Sequence, residues 1–317
     1  MGAAIVVLDG NISISNSQFV SNDAMSNLSI DLSFGVILLF ESEVSINNSK
    51  FTRNTARLGG VLSAHNSSFH VARSTYSYNN AEHEGVMYSI ESSFNITNST
   101  FTNNSVAGVG GVMTTSKSSF NITNNTFANN SAAIGGVMST SESSFNITNS
   151  TFTNNRVAGV GGVMTTSESS FNITNSTFAN NSAAAGYGGV IRDTSESSFN
   201  ITNSTFTNNS ATGVGGVMST SESSLNIING IFNNNKANHF GGVMAISGGS
   251  SYIANSTFDH NLGSVYTFNC NLTFSGYTRF ENRMELHNKT RDDVTTRREG
   301  GAITSLQSRV LFTGVSS

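Results

Sequence analysis

The chain has 317 residues, 11% of them charged, a formal net charge of −4, no proline and one cysteine. That balance offers no basic stripe for a nucleic-acid backbone, and a single thiol excludes an internal disulfide framework. Charge is far below the roughly 25% of ordinary globular chains, so solubility has to come from Asn, Ser and Thr.

The opening "MGAAIVVLD" is apolar but lacks the basic n-region of a signal peptide. It compares better with "GGAI" at 300–303, and reads as the interior of a repeat in a longer rod. The run "FGVILLF" (34–40) is too short for the roughly 20 residues that span a bilayer. Phe19/Asn22, Phe51/Asn54 and Tyr76/Asn79 then introduce a Phe-x-x-Asn spacing in loose form.

From residue 94 the spacing becomes strict. "FNITNS" or a close copy opens at Phe94, Phe120, Phe145, Phe171 and Phe199, with Leu225 and Tyr252 continuing the series in steps of 25–28 residues. The second glycine of "GGVM" recurs in phase at Gly111, Gly136, Gly162, Gly189, Gly216 and Gly242. Phe-x-x-Asn recurs at Phe101/Asn104, Phe127/Asn130, Phe152/Asn155 and onward to Phe258/Asn261. Three landmarks in one phase identify a repeat protein. The last stretch, "RMELHNKTRDDVTTRRE" (283–299), gathers charge and reads as a loop excursion from the rod.

Within "FNITNS", Phe94, Ile96 and Asn98 share one strand face, and Asn95, Thr97 and Ser99 the other. Units made of Asn, Ser, Thr and Gly, with Phe, Ile and Val between them, favour short strands and turns over helices. About 26 residues hold three short strands and three bends, here "GVMTTS", "SFNITNS" and "TFTNNS". The expected fold is therefore all-β: a right-handed parallel β-helix, one solenoid over 1–317, of eleven or twelve coils. At about 4.8 Å per coil its length is roughly 50–60 Å. The Asn of Phe-x-x-Asn should form a ladder between coils, and the paired glycines should sit at a bend needing positive φ or close packing. Absence of proline fits strands that hydrogen-bond both above and below.

"GGVM" and "GGAI" together with "STFTNN" resemble the repeat of the chlamydial polymorphic outer-membrane proteins, within the pectin-lyase-like class of β-helices. The resemblance implies a secreted or cell-surface passenger acting in adhesion, with a surface protein or a glycan as partner. Coil edges also suit end-to-end self-association.

Catalytic and cofactor motifs are not found. Glu91, Glu142, Glu168, Glu196 and Glu222 form one column, with Lys117 replacing Glu once, and read as solvated charges at a bend. A glycosidase pair would need two carboxyls in unlike environments. His65 and His70 have no metal-ligand spacing, Cys270 reads as a small buried hydrophobe, and Asp292-Asp293 lies in the charged excursion. No cofactor or metal is expected. The alternatives to adhesion are a polysaccharide-degrading β-helix and, from the Asn-x-Thr arrays, an ice-binding surface.

The sequence carries 21 Asn-x-Ser/Thr triplets. In a host that N-glycosylates exported chains, the candidates are Asn95, Asn103, Asn121, Asn129, Asn146, Asn172, Asn180, Asn200, Asn208, Asn271 and Asn288. From the strand alternation, the Asn98-type triplets are expected to point inward.

Overall fold

The computed structural model describes residues 4–24, 34–281 and 303–313, and every regular element in them is a β-strand. One coil shows the plan. Met113–Ser116, Ser119–Thr123, Thr126–Ala128 and Ser131–Ala132 follow one another around the rod. Each pairs in parallel with its equivalents one coil before and after, giving four sheets of 12, 12, 11 and 8 strands. In the first sheet, strands begin at Ile37, Leu62, Met87, Met113, Met138, Met164, Ile191, Met218 and Met244, which makes nine regular coils about 26 residues apart. Ile5–Leu8, Val265–Phe268 and Ile303–Leu306 extend that sheet at less regular intervals. The charged stretch 283–299 lies outside the described residues.

The expected three strands per coil are four. The additional two-residue strand lies just after the Asn of Phe-x-x-Asn, as in Ser105–Val106. Its inward positions, Ala81, Val106, Ala132, Val157 and Ala183, form a small apolar cluster of their own. Two residues are too few for alternation to be visible in the sequence.

Like residues stack on like. Phe94 pairs with Phe120, then Phe145, Phe171 and Phe199 in register, with ring centroids 4.6–4.7 Å apart and planes within 4°. A second aromatic column follows Phe101, Phe127, Phe152, Phe178 and Phe206 at 4.7–4.9 Å. Isolated aromatic pairs favour offset or edge-to-face contacts, so this parallel stack is imposed by the strand spacing. Its stabilisation comes from burial, roughly 1.5–3 kcal/mol per side chain.

One expectation on this column is corrected. Ser251, and not Tyr252, stands above Leu225; Tyr252 pairs with Asn226 on the outer face and is exposed. Ile253 keeps the column of Ile227, so strand parity places Tyr252 outside whatever its size.

Tyr76 is the one tyrosine in the second aromatic column, fully buried between Phe51 and Phe101. Its hydroxyl has no partner, and burial alone pushes it far above the ordinary phenol range. Tyr76→Phe is therefore expected to stabilise the rod by about 1–2 kcal/mol, because a desolvated, unbonded hydroxyl is removed and the ring is kept. A shift of the urea midpoint upward checks it; a downward shift contradicts the unpartnered hydroxyl.

Candidate functional site

The outer surface is set by what happens at the corners. Between the first and second sheets, Glu41, Glu91, Lys117, Glu142, Glu168 and Glu222 all adopt left-handed backbone, φ 47–50°. Between the second and third, Asn98 (50°) and Asn124 (57°) do the same, and Asn103 (55°) and Asn129 (57°) repeat it at the next corner. Asn tolerates this region because its short side chain bonds locally; Glu and Lys are there at a cost of roughly 1 kcal/mol.

Each corner residue points out, and the residue after it points in. That second residue continues the interrupted backbone ladder with its side chain. The amide of Ser92 donates to Ser118 Oγ at 3.2 Å, while Ser92 Oγ donates to the Ile90 carbonyl at 2.7 Å. At the Phe-x-x-Asn corner, the Asn104 amide and its Nδ2 both donate to Asn130 Oδ1, at 3.1 and 3.0 Å, and Nδ2 also donates to the Tyr76 carbonyl at 3.0 Å. The expected Asn ladder is present, and it runs from Asn22 through Asn54 to Asn261.

These corners overturn one facing assignment. Asn98, expected inward with Phe94 and Ile96, is exposed, and Ser99 is the buried residue. The strand ends at Thr97, and the left-handed residue resets the alternation by one.

Outside, the second sheet carries a hydrogen-bonded amide row. Asn121 Nδ2 donates to Asn95 Oδ1 at 2.9 Å, Asn146 to Asn121 at 2.9 Å, Asn172 to Asn146 at 2.8 Å and Asn200 to Asn172 at 2.8 Å. Beside it runs an open polar groove of about 780 Å³ along the Glu column, floored by Ser93, Ser119, Ser144 and Ser170. The Asn95-type candidates thus form one row on this face. Asn129, Asn180 and Asn208 stand exposed at the third corner, with Asn103 half-buried there, so the two groups lie on different sides of the coil. Asn271 is exposed at the start of its strand, and Asn288 lies outside the described residues.

Chemically, the groove offers carboxylates one coil apart in matching, solvated surroundings. Glu168 stands between Glu142 and Glu196 in this column, all three exposed. Glu168→Asn is expected to raise stability by about 1 kcal/mol at low ionic strength, by placing a side chain that tolerates the left-handed corner better than Glu and removing like-charge repulsion. Part of that gain should vanish in 1 M salt; an unchanged or lowered midpoint at low salt would contradict it.

Among the described residues the carboxyl pushed above its usual range is Glu84. Burial does this, opposed by a hydrogen bond from Thr114 and by His83. Glu84 replaces the first glycine of the repeat, a departure visible in the sequence as "HEGVM" in place of "VGGVM". His65 and His70 lie on the outer faces of successive strands, and no group of three His, Cys, Asp or Glu suited to a metal occurs among the described residues. Cys270 is buried, and burial raises its thiol. Asp292-Asp293 lies outside the described residues. Arg192 and Tyr266 break the repeat on the first sheet, and Tyr187 breaks it at the flanking corner.

Stacked parallel coils, internal side-chain ladders and bare outer sheets define the protein as a parallel β-helix. The chain matches the family described as a right-handed β-helix region over residues 1–116 and again over 107–229, and it belongs to that family. No curated protein and no solved structure gives a significant match. Among the described residues no helix is long and apolar enough to cross a membrane.

Proposed function

We propose that the chain is a non-catalytic, secreted or cell-surface rod that serves adhesion or scaffolding through its outer faces. The observation carrying this reading is the second-sheet face, where one amide and hydroxyl pattern repeats at coil spacing beside solvated, equivalent glutamates. Such a surface supplies many identical weak contacts, which suits multivalent attachment. The likeness of "GGVM" and "STFTNN" to the chlamydial outer-membrane repeats supports the same role and a surface protein or glycan as partner.

The second reading is a polysaccharide-degrading β-helix, favoured by Glu84, the half-buried carboxyl. Incubating the purified chain with a panel of plant and microbial polysaccharides separates the two. The proposal expects surface or glycan binding without new reducing ends or unsaturated products. Depolymerisation that disappears in Glu84→Gln would replace it with the enzyme. In a glycosylating host, occupancy is expected at both Asn95-type and Asn98-type positions, since both are exposed, and peptide mapping reads it out.

A further inference from the structure

The outer face of the first sheet changes character along the rod. In three successive coils its outward positions hold hydroxyls, Thr114 and Ser116, Ser139 and Ser141, Thr165 and Ser167. The following strand puts Arg192 in this row, and Ser219, Ala245 and Tyr266 continue it. At the flanking corner, where other coils carry Val109, Ile134 and Val160, the same stretch carries Tyr187 and Phe240. Tyr187, Arg192, Ala245 and Tyr266 line one depression, and Phe240 stacks on Tyr266.

Its geometry is specific. Arg192 Nη1 donates to Ser219 Oγ at 2.9 Å, and the guanidinium carbon lies 5.1 Å from the centre of the Tyr187 ring. Of the five guanidinium donors, that bond uses one. Among the described residues no carboxylate forms an ion pair with Arg192. Its strand neighbour Asp193 faces the opposite way, buried, where it accepts from Thr166 at 3.2 Å and from Ser223. Tyr266 stacks on Phe240 with centroids 4.9 Å apart, and Phe268 stands beside it, exposed. Between the two ends, Ala245 lowers the floor and Ser219, Ser221 and Ser247 line it, leaving a cavity of about 340 Å³. Arg192 and Tyr266 are three coil steps apart, about 14 Å at the usual strand spacing.

We infer that this depression binds a short saccharide bearing a carboxylate or sulfate, with Arg192 holding the anion and Tyr266 the face of a sugar ring. A planar guanidinium with free donors recognises either anion through paired hydrogen bonds, and Tyr187 limits its motion. Aromatic faces supply apolar area to a ring, and the serines meet its hydroxyls. The inference rests on the surface-binding reading above and gives it a ligand class and a place. The competing role for Arg192, balancing the buried Asp193 charge, predicts no dependence on the saccharide.

Calorimetric titration of the full chain with an oligouronate, a sulfated oligosaccharide and a neutral oligosaccharide of equal length tests it. One anionic probe is expected to bind at least tenfold more tightly than the neutral one, with affinity falling as salt rises; the probe that binds assigns carboxylate or sulfate. Arg192→Gln should weaken that binding at least tenfold, Arg192→Lys less, and Tyr266→Ala at least fivefold. Because Arg192→Gln also removes the charge interaction between Arg192 and Asp193, the double variant Arg192→Gln/Asp193→Asn is measured beside it. Failure of both anionic probes to bind, or wild-type affinity in the folded double variant, overturns the site. Mass analysis of the probe after titration separates the two readings: a shortened probe sinks the non-catalytic proposal and leaves the site standing.

Discussion

Gly162→Ala is expected to cost at least about 3 kcal/mol, through overpacking that no rotamer change can relieve. A Cβ at Gly162 would lie 2.0 Å from the Gly189 carbonyl oxygen and 2.9 Å from its carbon. Both belong to the backbone of the next coil, whose position is fixed by hydrogen bonds from Gly162 N to Gly188 O at 3.0 Å and from Val163 N to Val190 O at 2.9 Å. The two coils would have to separate locally, breaking those bonds. Gly186 supplies the control in the neighbouring coil. The nearest atom to a Cβ there is Val160 Cγ1 at 3.8 Å, so Gly186→Ala should be neutral or slightly stabilising. Urea unfolding of both variants, with hydrogen exchange at the 162–164 amides that donate to the next coil, reads the difference. Equal midpoints would show that coil spacing is softer than these contacts require.

Asn155→Ala is expected to cost about 3 kcal/mol or more, though its side chain is far smaller than the phenylalanines around it. Asn155 Oδ1 accepts from the Asn130 amide at 3.0 Å and from Asn130 Nδ2 at 3.1 Å. Its own Nδ2 donates to the Phe127 carbonyl at 3.1 Å and to Asn181 Oδ1 at 3.0 Å. Alanine would leave the buried Asn130 amide without a partner, at roughly 1–3 kcal/mol, and would also remove the bond from Asn130 Nδ2 and those to the Phe127 carbonyl and Asn181 Oδ1. Asn155→Asp is the sharper test. It keeps the acceptor for Asn130 but turns a carboxylate oxygen toward the Phe127 and Asn181 oxygens, and should destabilise strongly at neutral pH. If either substitution leaves the unfolding midpoint unchanged, water or relaxation replaces the ladder.

Both predictions concern residues whose importance is legible in the repeat, though the reason differs between them. The recurrence of "GGVM" required a bend with positive φ or close approach, and the structure uses both: Gly110 has φ 66°, while Gly111 would place a Cβ 2.2 Å from the Gly136 oxygen. The Asn of Phe-x-x-Asn was expected to form a ladder because a polar residue repeated at coil spacing has its own copy as nearest neighbour, and Asn104 to Asn130 does so.

Where the reading failed, the cause was a change of backbone region. Alternation extended past Thr97 put Asn98 inside, but a left-handed corner shifts parity by one residue, and nothing in "ITNST" marks where the strand stops. Aromatic likeness puts Tyr252 in the Phe94 series, whereas register is decided by the whole strand, and Ile253 fixes it. The fourth strand escaped notice because two residues carry no period.

The amino-acid order alone determined the solenoid, its period of about 26 residues and the columns that stack, because identical units packed at one strand spacing must place like on like. Only the tertiary structure decided which polar residues face water and which departures from the repeat meet. Facing depends on the backbone conformation at each corner, and Tyr187, Arg192, Phe240 and Tyr266, up to 79 residues apart in the chain, become neighbours only when successive coils are laid on top of one another.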